Sequence, residues 1–365
     1  MSQGTQRMPD VLLFAAAFLL VGIGLIMVYS ASSVMALAET GDSLHYLKRQ
    51  LVGVVVGVIA MIVVMRVDYR LYQKVAILGV AVAYVLLVVV LLQGTKIAGS
   101  RRWINLGIIN LQPSELAKLA LVNFTAAFAA SRPQDMRRFW KGLMWPLAVT
   151  GGFFVLIMLE PDFGTAVSMA GTSVVLLFAC GVQASHIVGI GALALPLLGV
   201  IIWLEPYRLE RILSFMDPWA DPMNTGWNII QSLLAIGSGG LFGLGLGSSR
   251  QKFFYLPEQH TDFIFAILSE ELGLLGGLIT LLLFFLLAWR GYRTALKAPD
   301  LFGCFLAVGI TTMITLQAVL NMGVVSGILP VTGLTLPFIS FGSSSLVVTL
   351  IGIGILLNIS KHETV

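Results

Sequence analysis

YLPEQHTDFIFAILSEELGLLGGLITLLLFFLLAW, residues 255–289, decides how the rest of the chain is read. From Asp262 to Trp289 it has the length and apolar character of a helix that crosses a bilayer, which needs about 20 residues. Yet its entrance carries Glu258, His260, Asp262, Glu270 and Glu271. Water solvates such groups and lipid does not. An ionised carboxylate at the bilayer centre costs roughly 2.5–3.5 kcal/mol on insertion scales. A span that keeps these residues must turn them toward a polar cavity or an aqueous face. Pro257 stops any preceding helix, and Thr261 or Asp262 is placed to cap the next one.

Composition agrees. The chain has 365 residues, 58% of them hydrophobic and only 11% charged, with a mean hydropathy of +0.94. Soluble domains carry about 25% charged residues, so the bilayer is the expected solvent. The net charge of +4 is spread through short loops, which argues against nucleic acid as a partner. Cys180 and Cys304 lie in apolar segments and form neither a disulfide framework nor a metal-binding spacing. They read as small core hydrophobes. The first apolar stretch, after Arg7, is too long for a signal-peptide core and reads as a retained first span.

The expected fold is an all-α polytopic membrane protein of about ten transmembrane helices, one membrane domain over residues 1–365. Spans are expected near 11–35, 50–66, 72–93, 114–131, 142–159, 163–183, 187–204, 262–289, 301–325 and 338–359. Ten spans put both termini on one side. Twelve Lys and Arg residues fall on that side and nine on the other, with Lys118 inside a span. The positive-inside rule then makes the termini cytoplasmic.

The one large loop, about 205–261 between spans seven and eight, is external in this scheme. Within it, 207–217 and 226–237 read as short amphipathic helices. The segment 237–249 is rich in glycine, which permits close backbone approach. Its GxGxG lies in no βαβ unit and is not a dinucleotide fingerprint.

Four groups of residues can carry chemistry, all on the expected outer side. The first is Glu258, His260 and Asp262, with Glu270 further into the span. Neighbouring carboxylates at a membrane surface raise each other's pKa, which suits a general base; a divalent cation site is the alternative. The second is GSRRWINLGIINLQPSELAK, 99–118. Its Arg101 and Arg102 suit bidentate phosphate binding, and Glu115 and Lys118 share a helix face three residues apart. The third is the short turn with Glu160 and Asp162, where Asp162 is placed to cap the next helix. The fourth is GILPVTGLTLPFISFGSSS, 327–345, which contains Ser343 and Ser344 and breaks an apolar run. Non-helical backbone at membrane depth needs protein or a wet cavity around it.

In this order, GSRRWINLG…LQPSELAK, LEPDFGTA, YLPEQHTDFIFAILSEELG and PVTGLTLPFISFGSSS resemble the SEDS family (shape, elongation, division and sporulation) over essentially the whole chain. The wording leans toward its division and sporulation branch, FtsW and SpoVE. The resemblance implies a peptidoglycan glycosyltransferase that polymerises lipid II at the outer face of the bacterial cytoplasmic membrane. A class B penicillin-binding protein, the transpeptidase, is the implied partner, alongside other division or sporulation membrane proteins. The family's essential aspartate corresponds to Asp262, the implied base. Glu115 and Lys118 match its glutamate and lysine. Arg101 and Arg102 match its basic pair and are expected to hold pyrophosphate. Glu258, His260, Glu160, Asp162, Glu270, Ser343 and Ser344 are expected to support the cavity. A divalent cation, Mg or Mn, is implied by analogy, with no ligands assigned. The chain departs from the family at 340–345, where Phe341 and Ser343 replace the usual tyrosine and second glycine.

Two other classes compete. A lipid II flippase needs polar groups reaching the cytoplasmic half, and spans two, three, five, six and ten carry almost none. A non-catalytic scaffold for a transpeptidase leaves the acidic cluster unexplained.

Overall fold

A bilayer offers the backbone no hydrogen-bond partners, so apolar runs of this length become helices. The computed structural model describes residues 8–97, 100–105, 107, 110–253 and 255–363. The elements are α1 (Val11–Thr40), α2 (His45–Arg66), the short α3 (Arg70–Lys74), α4 (Ala76–Gln93), β1 (Thr95–Ile97), β2 (Ser100–Asn105), β3 (Asn110–Leu111), α5 (Pro113–Ser131), α6 (Met144–Leu159), α7 (Phe163–Ala179), α8 (Ala184–Trp203), α9 (Pro206–Met216), α10 (Trp227–Ser238), α11 (Ile264–Leu296), α12 (Leu301–Val325) and α13 (Ser343–Ser360). Arg7, Gly99 and positions 106, 108 and 109 of the blocks read above lie outside the described residues.

A helix stands at each of the ten positions where a span is expected. Among the described residues, eight are long and apolar enough to cross a membrane: α1, α2, α4, α6 with the π-helical turn before it (Phe139–Leu159), α8, α11, α12 and α13. The other two are α7, of 17 residues, and α5, whose first turns hold Glu115 and Lys118. The protein is a polytopic, membrane-embedded helical protein, as expected.

The centre of the bundle is α12, which packs on α5, α7 and α11. Around it, α13 lies along α2 and α1 along α11. Gly53 and Gly57, one turn apart on α2, let α13 come close: a Cβ at Gly57 would stand 2.6 Å from Leu350 Cδ1. Small residues four apart do this in membranes, where packing replaces the hydrophobic drive. By contrast, α8 has no buried residue and sits at the periphery.

Two features depart from uninterrupted helices. Residues 95–111 contain a three-stranded antiparallel meander, β1-β2-β3. In α11, Gly273 is non-helical (φ 67°, ψ −167°) and breaks the helix in two. The glycine-rich segment fills the break. Leu244 N donates to Glu270 O at 3.0 Å, Gly245 N to Glu271 O at 3.0 Å, and Leu274 N to Gly240 O at 2.9 Å. A Cβ on Gly243 would be 2.1 Å from Glu271 O, so only glycine admits this approach.

One end of the bundle is closed by ion pairs, Arg290 with Asp10 at 2.6 Å and Arg70 with Asp300 at 3.2 Å. The candidate residues gather at the other end, where α11 begins.

Candidate active site

Asp262 lies two residues before α11, outside the helix. It is not the cap: Phe263 occupies the N-cap position and no side chain closes that end. The Asp262 carboxylate is partly exposed and makes no side-chain hydrogen bond among the described residues. Its backbone is fixed instead. Asn321 Nδ2 donates to Asp262 O at 2.8 Å and to Leu334 O at 2.6 Å, and Ser340 Oγ donates to Thr261 O at 2.5 Å. The irregular segment 327–342 is thereby stapled beside residues 260–262, with a Cβ at Gly333 only 3.5 Å from Asp262 Oδ2. Arg211 of α9 donates to Val331 O at 3.2 Å and so reaches the same segment.

Burial pushes the Asp262 carboxyl up to about 7. Glu258 and Asp162 push it further in that direction, and Arg211 and Arg102 oppose them. Four charges from four separate parts of the chain thus act on one free carboxylate.

The turn between α6 and α7 forms one wall. Asp162 accepts from Thr165 N at 3.2 Å and Oγ1 at 2.9 Å, capping α7 as expected. It also accepts from Gln112 Nε2 at 3.2 Å and lies 4.0 Å from Arg102 Nη1. Arg102 Nε donates to Glu160 O at 3.0 Å, and another guanidinium nitrogen donates to Pro161 O. The Glu160 side chain is buried, and neither carboxyl oxygen has a partner. Burial first, and Asp162 second, push it up to about 8, with Arg102 opposing.

Beneath this wall Lys118 Nζ, itself buried, donates to Glu115 Oε1 at 2.9 Å and Gln317 Oε1 at 2.6 Å. Gln317 Nε2 donates to Thr335 O at 3.0 Å. Gln317 and Asn321, one turn apart on α12, therefore connect Lys118 to the backbone around Asp262. Ser114 caps nothing: Gln112 is the N-cap residue of α5 and Ser114 Oγ has no partner.

Several expected residues stand elsewhere. Arg101 neighbours Arg102 on β2, and successive strand side chains point to opposite faces. Arg101 is exposed and reaches Leu92 O at 3.4 Å, so the two guanidiniums do not form a pair. Glu270 accepts from Ser249 Oγ and from Arg250 N at 2.9 Å. Glu271 accepts from Ser30 Oγ at 2.7 Å and lies 3.6 Å from Lys252 Nζ. These two carboxylates clamp the loop before α11 into that helix and do not line an open cavity. His260 is buried between Tyr46 and Phe341, with centroids 4.6 and 5.6 Å away. Burial lowers its pKa, which suits packing. Ser343 Oγ donates to Arg49 O at 3.3 Å, and Ser344 Oγ accepts from Gln112 N at 3.0 Å; both fasten the start of α13. Glu258 takes a 2.8 Å bond from Thr261 Oγ1 and stays exposed at the mouth.

The structure adds Arg211, Gln112, Gln317 and Asn321. The last two carry a sequence signal, two amides four apart in an apolar run. Arg211 does not, because nothing in an amphipathic loop helix says where it folds back. Among the described residues no three His, Cys, Asp or Glu side chains are grouped to hold a metal ion.

Residues 10–365 match the profile of the FtsW, RodA and SpoVE cell cycle proteins. Stage V sporulation protein E of Bacillus subtilis (strain 168) is 49% identical over 357 residues, covering 97% of this chain and 98% of that protein. The probable peptidoglycan glycosyltransferase FtsW of Geobacter metallireducens is 46% identical over 356 residues, covering 97% and 95%. Among solved structures, the rod shape determining protein RodA of Thermus thermophilus superposes with a TM-score of 0.73 at 30% identity, covering 98% of each chain. A chain of a peptidoglycan synthase complex that coordinates polymerization and crosslinking superposes with a TM-score of 0.80 at 32% identity, covering 97% and 98%.

Proposed function

The chain belongs to the FtsW, RodA and SpoVE family of cell cycle proteins, and from that premise we propose that it polymerises lipid II into glycan strands, in division or sporulation. Asp262 is the general base. It takes the proton of the acceptor sugar's 4-hydroxyl as that oxygen attacks the anomeric carbon of the donor chain. Undecaprenyl pyrophosphate leaves with inversion.

The observation that carries this reading is the state of Asp262: a partly buried carboxylate, not a cap, with no side-chain hydrogen bond among the described residues, and raised by burial to a pKa of about 7. A base works best when so poised. Arg102 and Arg211 supply positive charge beside it for the pyrophosphate, and the Glu115–Lys118 pair supports the floor. A magnesium-type ion is commonly held by one or two carboxylates and substrate phosphates. Among the described residues no all-protein cage is grouped for such an ion, so an ion there would be held chiefly by the substrate's pyrophosphate and would supply charge neutralisation to the leaving group.

One membrane domain with ten crossings, both termini cytoplasmic and the site facing outward, gives the reaction its lipid-linked substrate on the external side. A class B penicillin-binding protein is the partner that crosslinks the product. The likeness to a peptidoglycan synthase complex supports this assignment. The test is lipid II polymerisation by the purified protein with its transpeptidase. Asp262→Asn should reduce the rate by roughly 100-fold or more, and full activity in that variant would overturn the mechanism.

A further inference from the structure

The external loop contains a second concave site. Trp227, Gln231, Arg250, Gln251, Phe253 and Tyr255 line a cavity of about 560 Å3, within the range of about 300–1,000 Å3 typical of small-molecule sites. Trp227 Nε1 donates to Tyr255 O at 2.5 Å and fixes the indole to the opposite strand of the loop. Phe253 and Tyr255 are each 53% exposed.

The cavity has one unmet polar group. Gln231, only 8% exposed, lines the cavity floor. Gln251 Oε1 is buried and unpartnered. A buried amide is costly unless something pairs with it. Arg250 uses its backbone N–H to hold Glu270, while its exposed guanidinium makes no ion pair among the described residues.

Aromatic faces, two glutamines, one with an unpartnered amide oxygen, and a guanidinium with no ion pair among the described residues together match an acidic saccharide. Sugar rings lay their C–H faces on aromatic rings, hydroxyl and acetamido groups pair with amides, and a carboxylate takes a guanidinium bidentately. An interfacial aromatic belt would account for the rings but not for the buried, unpartnered amide oxygen of Gln251 beside them. We propose that this cavity is a subsite for the growing glycan, holding a saccharide segment with carboxylate-bearing substituents away from the reacting centre. The seven residues from Tyr255 to Asp262 can span no more than about 25 Å, so a strand a few sugars long reaches both places. This inference rests on the polymerase reading.

The test uses the full-length protein in nanodiscs of neutral lipid, titrated calorimetrically. The probes are a lipid-free peptidoglycan tetrasaccharide with its carboxylates intact and a neutral N-acetylglucosamine tetramer. Arg250→Gln should weaken the acidic probe about tenfold and leave the neutral one unchanged; Tyr255→Ser should weaken both. Wild-type affinity in both variants, or no binding by the wild type, overturns the subsite. So does loss, in these variants, of binding to the transpeptidase's external domain or to phosphatidylglycerol vesicles while glycan binding stays intact. Lipid II polymerisation is measured on the same wild-type protein. Polymerisation without oligosaccharide binding sinks the subsite alone. Oligosaccharide binding that both variants weaken, without polymerisation, keeps the site and sinks the reading beneath it.

Discussion

Asp262 and Glu160 are both carboxyls pushed toward neutrality, yet their surroundings give them opposite roles. Asp262 is open to the mouth, so its proton can be exchanged with a substrate. As the proposed base it must be ionised to act, and burial raises its pKa to about 7. The lipid II polymerisation rate constant kcat/KM should therefore rise about tenfold per pH unit below that value and level off above it. A profile flat across pH 6 to 8, roughly one unit on each side, would remove Asp262 as the base. Glu160 is closed in and has no partner, so at neutral pH it holds its proton. A raised carboxyl pKa contributes stability that is full below the unfolded value of 4.5 and is lost as pH rises through about 8. Glu160→Gln keeps the shape without the titration. Its unfolding temperature should match the wild type near pH 5 and exceed it near pH 9, by on the order of 1–3 kcal/mol of stability. Equal pH dependence in the two proteins would show that Glu160 is not the titrating group. Asp262 was legible in the sequence because carboxylates are conspicuous at the start of an apolar run. Glu160 was visible as a turn residue, but its lack of a partner depends on how Arg102 spends its donors on the turn's backbone.

At the scale of elements, the sequence revealed what repeats and hid what is short or folds back. Helical runs announced themselves by length. The meander did not, because β2 has six residues and sits in a segment that reads as an ordinary loop. That matters chemically, since the period of a strand separates Arg101 from Arg102 where a loop would have allowed both to face one ligand. Arg102→Ala should lower lipid II polymerisation about tenfold or more, since it frees the Asp162 wall as well as removing a cation. Arg101→Ala should stay within about twofold, as exposed charges usually do. The reverse ranking in the same assay would show that β2 faces the other way in the working enzyme. Glu270 and Glu271 were flagged by the cost of burying charge. Their partners Ser249, Arg250 and Lys252 lie about twenty residues upstream at the end of a glycine-rich run, and Ser30 lies on α1; periodicity gives no account of such a return.

Over the whole molecule, the site exists only because β2, α5, the α6–α7 turn, α9, the start of α11, α12 and the segment before α13 meet at one end of the bundle. Only α12 and the segment that follows it adjoin in sequence, so the sequence could name each element but not assemble them. Whether that end faces outward follows from the number of crossings. If α5 and α7 cross with the eight longer helices, Met223 between α9 and α10 and Arg137 between α5 and α6 lie on opposite sides. Both are exposed, and the only native thiols, Cys180 and Cys304, can be replaced by alanine. In intact spheroplasts a membrane-impermeant maleimide should label Met223→Cys at once and Arg137→Cys only after permeabilisation. Labelling of both from outside would mean that α7, the shorter helix between them, does not cross. The odd count would then put the termini on different sides and deny the external loop and Asp262 a common aqueous face with the substrate.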